Sequence, residues 1–228
     1  MALLRFDGVG KTYPGGQLAL ADVGFAIEPG EVVFLTGHSG AGKSTLLKLL
    51  QVLERPDRGA VLVEERNLAA VRGRDVARHR RRLGVVFQDH RLLPEWSLFD
   101  NVALPLRIAG VAEAEVGSRV RAVLERVGLG ARCAACPPQL STGEQQRAGI
   151  ARAVVGRPLL LIADEPTGNL DPQLAAEVMD LFLALPEQGS TVLIASHDLG
   201  LIKRTRRRTL VLDRGRLVDD IAAADLAA

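Results

Sequence analysis

The sequence predicts one α/β domain with a mainly parallel sheet, a strand-rich N-terminal part and an inserted helical segment. Three observations carry this. Short apolar runs of strand length recur near both ends and alternate with helix-forming segments. The middle of the chain switches to helical periodicity. A length of 228 residues with 47% hydrophobic and 25% charged residues suits one large soluble domain with its own core.

In order, Leu3 to Val9, Val23 to Glu28, Val32 to Leu35 and Val61 to Glu65 read as strands. Pro14–Gly15–Gly16 and Pro29–Gly30 punctuate them as turns. A glycine-rich loop follows Leu35 and leads into an apolar helical run, Ser44 to Leu53. Gly84 to Phe87 is a further strand, and the apolar stretch from Asp89 to Leu106 reads as loop-like. Val116, Val120, Leu124 and Val127 line one helical face within Glu113 to Val127, with Gly128 as its stop. A second helix runs from Ser141 to about Val155. Leu159 to Ala163 and Thr191 to Ser196 return to strand, with a helix between them that starts at Asp171–Pro172. Thr209 to Asp219 forms a hairpin turning at Arg214–Gly215. The helical subdomain is expected over about residues 89–157, inserted into one domain spanning 1–228.

Composition narrows the partners. Net charge is +2, and the basic clusters Arg78 to Arg82 and Lys203 to Arg208 read first as solvated faces. A face held near anionic lipid or a partner is the second reading. Few aromatics interleave with either cluster, so no nucleic acid is expected. No apolar run approaches the roughly 18 residues of a membrane span, and Met1 to Asp7 lacks the layout of a signal peptide. The chain is therefore expected in the cytoplasm unless a partner holds it elsewhere. Cys133 and Cys136 lack a second pair or a nearby histidine for zinc, and reduced, incidental thiols are the simpler reading.

The strongest chemical signal is the segment Gly37, His38, Ser39, Gly40, Ala41, Gly42, Lys43, Ser44, Thr45. It has the phosphate-loop spacing and sits after a strand and before a helix. Glycines let backbone N–H groups turn inward around a triphosphate, and the helix N-terminus adds partial positive charge. Lys43 supplies a point charge to the β and γ phosphates, and the Ser44 hydroxyl is a Mg²⁺ ligand. Leu159 to Ala163 delivers Asp164 and Glu165 to the carboxyl edge of the sheet. Asp164 would hold Mg²⁺, and Glu165 would polarise the attacking water. In Leu140-Ser141-Thr142-Gly143-Glu144-Gln145-Gln146-Arg147, Ser141 and Glu144 have capping-box spacing. Such a helix start both begins a helix and makes a phosphate ligand.

A phosphate loop, this Leu-Ser-x-Gly-Glu-Gln-Gln-Arg segment about a hundred residues later and a strand ending in Asp-Glu together resemble an ABC-transporter ATPase domain. The resemblance covers essentially the whole chain and implies a P-loop NTPase core with an N-terminal antiparallel β-subdomain. It also implies further roles. Gln88 resembles the Q-loop glutamine that contacts Mg²⁺ and water and senses the partner. Asp171 resembles the aspartate that crosses the dimer interface, His197 the switch histidine at the γ phosphate, and Tyr13 the aromatic that stacks on adenine. Ser141 and Gly143 match the γ-phosphate contacts of the signature. His38, Phe87-Gln88-Asp89-His90, Asp100-Asn101-Val102-Ala103 and Ala163 through Asp171 look most like the bacterial cell-division FtsE family. That family pairs with the membrane protein FtsX and controls peptidoglycan hydrolases.

The resemblance thus implies an ATPase that forms a head-to-tail homodimer around two ATP molecules. It implies peripheral attachment to the cytoplasmic face of the plasma membrane through an FtsX-like partner docked near Asp89 to Leu106. Leu92, Leu93, Pro94, Trp96, Leu98 and Phe99 give that stretch apolar weight, which core packing explains in part and a docking groove explains better. One departure is Thr142, which stands where the usual signature has glycine; it restricts φ and adds bulk, while Ser141 and Gly143 are retained, so dimer closure is expected to survive and the hydrolysis rate is left open. The rival reading within the family is an exporter of the lipoprotein-release or MacB type. A DNA-repair or translation ABC protein would need a long coiled coil between Lys43 and Ser141, or a second cassette, and the chain has neither. A scaffold that binds ATP without turnover is the remaining alternative, against which Glu165 and His197 weigh.

Overall fold

The structure, a computed structural model, describes residues 1–168 and 170–225. In chain order the first elements are β1 (Leu4–Tyr13), β2 (Gln17–Ile27), β3 (Val32–Thr36), α1 (Lys43–Leu50), β4 (Arg58–Val63), β5 (Arg66–Asn67) and α2 (Arg74–Arg80). Then come β6 (Leu83–Val86), α3 (Leu98–Ile108), α4 (Glu113–Arg126), α5 (Thr142–Val154), β7 (Leu160–Asp164) and α6 (Pro172–Leu183). The chain closes with β8 (Thr191–Ala195), α7 (Leu199–Thr205), β9 (Thr209–Asp213) and β10 (Arg216–Ile221). It divides into two compact units: Met1–Arg80 with Thr191–Ala228, and Arg81–Ser190.

The first unit holds an antiparallel sheet in the order β2-β1-β4-β5. The turn at residues 14–16 returns β1 onto β2, with Leu4 opposite Ile27, and the buried face stacks Phe6 on Phe25 at 4.7 Å between ring centroids. All five residues of β3 are buried. They lie between two parallel neighbours, β8 and β9, which is why β3 reads as a continuous apolar run rather than an alternating one. β9 turns back antiparallel into β10 at Arg214–Gly215.

In the second unit β6 and β7 pair in parallel. A Cβ on Gly84 of β6 would stand 2.4 Å from the Ala153 carbonyl oxygen, so α5 packs directly on that strand. Helices α3, α4 and α5 share one core, with Val116, Val120 and Leu124 of α4 among its fully buried members. Burial at about 1.5–3 kcal/mol per side chain far exceeds the few tenths per residue that helix propensity offers. Tertiary packing therefore holds α4. Gly128, at φ 68°, ends it as the sequence indicates.

Three short elements differ from the sequence reading. Residues 98–108 are helix α3, not loop. Ser97 caps it by accepting from the Asp100 N–H, and Leu98, Val102, Ala103 and Leu106 are buried. Pro94 and Pro105 interrupt the pattern at the sequence level, and this hid the helical spacing of Leu98, Val102 and Leu106. The apolar weight after Gln88 is consequently divided. Leu98 belongs to the core, Leu92 and Phe99 pack against it, and Leu93 and Trp96 are exposed. The two basic clusters fall on and just after the short helices α2 and α7, and part of each holds the fold. Arg80 donates to the Gln51 and Val52 carbonyls; Arg208 donates to the Ala26 carbonyl and pairs with Asp220. Cys133 and Cys136 are both free thiols.

The loop before α3 hangs on Asn101, which is fully buried. Its side-chain oxygen accepts from the Leu93 N–H at 2.7 Å, and its amide donates to the Leu93, Trp96 and Ser97 carbonyls at 3.0–3.1 Å. Asn101→Ala strands these backbone groups and is expected to lower unfolding stability by about 2–4 kcal/mol, read by urea denaturation. A loss under about 1 kcal/mol would show that the loop finds other partners.

Candidate active site

In the first unit, β3 and β8 run parallel with Leu35 opposite Ala195. The phosphate-loop segment and His197 therefore leave the same sheet edge. Two glycines fix the loop. Gly37 has φ 148°, and a Cβ there would lie 2.2 Å from the Leu212 carbonyl oxygen; Gly42 has φ 109°, and its Cβ would lie 2.6 Å from the Ala19 carbonyl oxygen. Any other residue collides with backbone at both points. Helix α1 then starts at Lys43 with no side-chain cap and no acidic residue in its first turn. The positive end of the helix dipole thus keeps no anion of its own. Lys43 Nζ donates to the Gly37 carbonyl at 2.6 Å and to the His38 carbonyl at 3.3 Å. Ser39 and Gly40 are exposed, Ala41 is buried, and Ser44 follows Lys43 in the first turn of α1. Tyr13, at the end of β1, is half-buried with its hydroxyl 3.4 Å from Thr45 Oγ1.

His38 is exposed, with Nδ1 2.6 Å from the Ser39 carbonyl and Nε2 2.7 Å from Asp213 Oδ1. The Ser39 carbonyl, and then Asp213, hold its imidazole above the ordinary histidine pKa. His197 is exposed in the turn between β8 and α7, where Asp198 caps α7 through the Leu201 N–H.

In the second unit, β6 and β7 pair with Val86 opposite Ala163, so Gln88, Asp164 and Glu165 also share one edge. Phe87, Gln88, Asp89, Arg91 and Asp164 line one open pocket. The carboxylate of Asp164 and the amide oxygen of Gln88 are hard oxygen donors of the kind Mg²⁺ takes. Glu165 stands at φ 48°, a left-handed conformation uncommon for a residue with a side chain and frequent at functional turns.

Helix α5 organises the rest of this unit. The Ser141 hydroxyl accepts from the Glu144 N–H at 3.2 Å, and Glu144 Oε2 accepts from the Ser141 N–H at 2.8 Å. This is the capping box read from the spacing, and Ser141 remains exposed at the tip. Thr142 is the first helical residue and is exposed. It has no positive φ, so the backbone restriction expected of a Cβ at this point does not arise, and only its bulk distinguishes it from glycine. A Cβ on Gly143 would meet Leu174 Cδ2 at 2.8 Å, which places Gly143 against the start of α6. Asp171 caps α6 by accepting from the Gln173 and Leu174 N–H groups, each at 3.1 Å. Asn169 lies outside the described residues.

The sequence reading assigned no role to two further residues of α5. Buried Gln146 donates to the Pro166 carbonyl at 2.6 Å, one residue past Glu165. Arg152 donates to the Arg91 and His90 carbonyls at 2.5 and 2.6 Å. His90 and Arg91 both have positive φ, so the guanidinium fork braces two consecutive left-handed residues just after Gln88. Burial pushes the His90 imidazole below its ordinary pKa. Gln146 lay inside the quoted motif, but nothing in the sequence distinguishes its buried side chain from that of its neighbour Gln145.

The Ser141 N–H holds the Glu144 carboxyl below the usual 4.5. A depressed acid contributes stability above that value and loses it as pH falls through the folded-state pKa. Glu144→Ala is expected to cost about 1 kcal/mol at pH 7. The gap should narrow below pH 4.5 in thermal melts; a gap independent of pH would remove the charged box.

Comparison with known proteins agrees with this geometry. The ABC transporter family matches residues 20–168. The cell division ATP-binding protein FtsE of Escherichia coli K12 is 49% identical over 215 residues, covering 94% of this chain and 97% of that protein. Its Mycobacterium tuberculosis counterpart is 45% identical over 219 residues, covering 96% and 95%. The ATP-binding cassette MJ0796, solved as a dimer in a post-hydrolysis state with ADP and Pi, superposes with a TM-score of 0.89 at 31% identity, covering 96% of this chain and 98% of that one. cbiO1 of Clostridium perfringens gives 0.90 at 28% identity, covering 99% and 90%. On these matches and on the phosphate loop, capped signature helix and Asp-Glu strand end, the chain belongs to the ABC transporter ATP-binding family, as an FtsE-like ATPase.

Proposed function

We propose that the chain binds ATP between two copies of itself and hydrolyses it to drive an FtsX-like membrane partner that regulates peptidoglycan hydrolysis during division. The observation that carries this is the exposed, capped tip of α5, where Ser141 faces solvent. A phosphate ligand presented outward suits a nucleotide brought by a second molecule, and the MJ0796 dimer with ADP and Pi supports that arrangement. The relatives named for cell division support the division role over the exporter role. No helix among the described residues is long and apolar enough to cross a membrane, which fits attachment through a partner.

The residues divide the work as follows. Lys43 exchanges the neutral carbonyls of Gly37 and His38 for β- and γ-phosphate oxygens, since charge-assisted hydrogen bonds are roughly twice as strong as neutral ones. The amides of Gly37 through Thr45 cradle the phosphates, and Tyr13 stacks on adenine. Ser141 and Gly143 of the opposite copy close over the γ phosphate, with Asp171 at the shared interface. Glu165 orients and deprotonates the attacking water, and His197 steadies the γ phosphate. Ser44, Asp164 and Gln88 would hold Mg²⁺, which supplies neutralisation of phosphate charge. Loss of the γ-phosphate bridge on hydrolysis opens the dimer, and the segment after Gln88, braced by Arg152 and Asn101, passes the motion to the partner.

Glu165→Gln is expected to retain ATP binding, favour the ATP-bound dimer in size-exclusion chromatography and reduce turnover by at least about 10²-fold. Normal hydrolysis in that variant would exclude Glu165 as the base. Lys43→Ala should weaken nucleotide binding itself. Membrane co-purification should recover a four-span protein with a cell-wall-directed loop; recovery of a larger exporter would instead support the transport reading.

A further inference from the structure

The phosphate loop carries an acidic neighbour that its sequence does not announce. Asp213 ends β9, and its Oδ1 lies 2.7 Å from His38 Nε2. Both partners are about half exposed, at 55% and 48%. The other nitrogen of the ring, Nδ1, lies 2.6 Å from the Ser39 carbonyl. A carbonyl oxygen and a carboxylate oxygen only accept hydrogen bonds, so a ring satisfying both contacts bears a proton on each nitrogen and is an imidazolium. The charges acting on it are Asp213 from β9 and Lys43 from α1, and Lys43 itself is 3.3 Å from the His38 carbonyl. The pair therefore joins a side chain of the phosphate loop to the end of β9, near enough to Lys43 for both charges to act on the imidazole.

An aspartate in that position is unfavourable for a polyphosphate ligand. Paired with imidazolium it is neutralised; paired with neutral imidazole it is a bare negative charge at the mouth of the loop. We propose that Asp213 belongs to the nucleotide site, as a fixed negative charge that protonated His38 neutralises, so that loss of the His38 proton opposes phosphate binding. His38 and Asp213 are thus positioning residues: they set the field in which Lys43 and the loop amides bind the phosphates. The shifted titration of His38 is consistent with this and has a definite sign. A raised pKa keeps the pair intact below and somewhat above the ordinary 6.5 and loses it at higher pH. Exposure makes the effect modest and sensitive to salt.

The inference rests on the nucleotide-site reading, and the test separates the two. ADP binding with excess Mg²⁺ is measured by calorimetry at low ionic strength on the whole chain, on His38→Ala, on Asp213→Asn, on the double variant and on Lys43→Ala. His38→Ala at pH 6.5 should weaken ADP on the order of fivefold. In the Asp213→Asn background the same change should cost less than about twofold, because no bare carboxylate is left. The ratio of parent to Asp213→Asn dissociation constants should rise from pH 6.5 to pH 9, a comparison that needs only the most conservative variant and cancels the titration of ADP. Equal cost of His38→Ala in both backgrounds, a ratio flat with pH, or weakening by Asp213→Asn equal to that of His38→Ala would each overturn the proposal in favour of a mechanical latch. Parent-like binding by Lys43→Ala would overturn the nucleotide site itself. With Lys43→Ala weakened, a failed cycle condemns the Asp213 proposal alone.

Discussion

The chemistry of the first unit depends on how closely three backbone segments approach one another. The phosphate loop, the β9–β10 hairpin and β2 meet backbone to backbone, with a glycine at each point of closest approach. Gly37 faces the Leu212 carbonyl, and Gly42 faces the Ala19 carbonyl. The Gly215 N–H donates to the Ala41 carbonyl at 3.0 Å, and the Gly215 carbonyl accepts from the Ala21 N–H at 2.8 Å. A hairpin about 170 residues away in sequence thus fixes the curvature of the loop. This ties the loop amides to sheet backbone rather than to mobile side chains, and donors fixed in this way need no reorganisation to meet a charge. It also brings Asp213 to His38.

The second unit is arranged around a helix in an analogous way. One face of α5 packs on β6 so tightly that Gly84 admits no side chain. From that fixed helix Ser141 is presented at the tip, Gln146 holds the turn after Glu165, and Arg152 braces the left-handed residues after Gln88. The turn after Glu165, the Ser141 tip and the segment after Gln88 are therefore all held by one helix.

Thr142 illustrates how local conformation decides the weight of a substitution. As a departure from the usual signature it raised the prospect of a strained backbone. At the first helical position, with no positive φ, a Cβ costs the backbone nothing, and only its bulk distinguishes it from glycine. At Gly143, one residue later, an added Cβ would meet the end of the Leu174 side chain, which would have to shift to admit it.

Much of this was legible in the chain. The phosphate loop, the Asp164–Glu165 strand end, the Ser141–Glu144 box and the α4 stripe are local patterns in which spacing alone dictates geometry, and periodicity of 2 or 3.6 needs no tertiary information. Helix α3 was not legible, because its identity comes from burial of Leu98, Val102 and Leu106 against α4 and α5 rather than from an unbroken pattern. Nor were the Asn101 anchor, the Arg152 fork or the His38–Asp213 pair. Each joins a side chain to a partner that the folded backbone brings into reach, and hydrogen bonds between distant residues leave no periodic trace in a single sequence. The sequence by itself determined the local groups: the glycine-rich loop, the capped helix start and the acidic strand end. Only the tertiary structure decided which charges and carbonyls stand beside those groups, since that depends on where separate strands and helices come to rest.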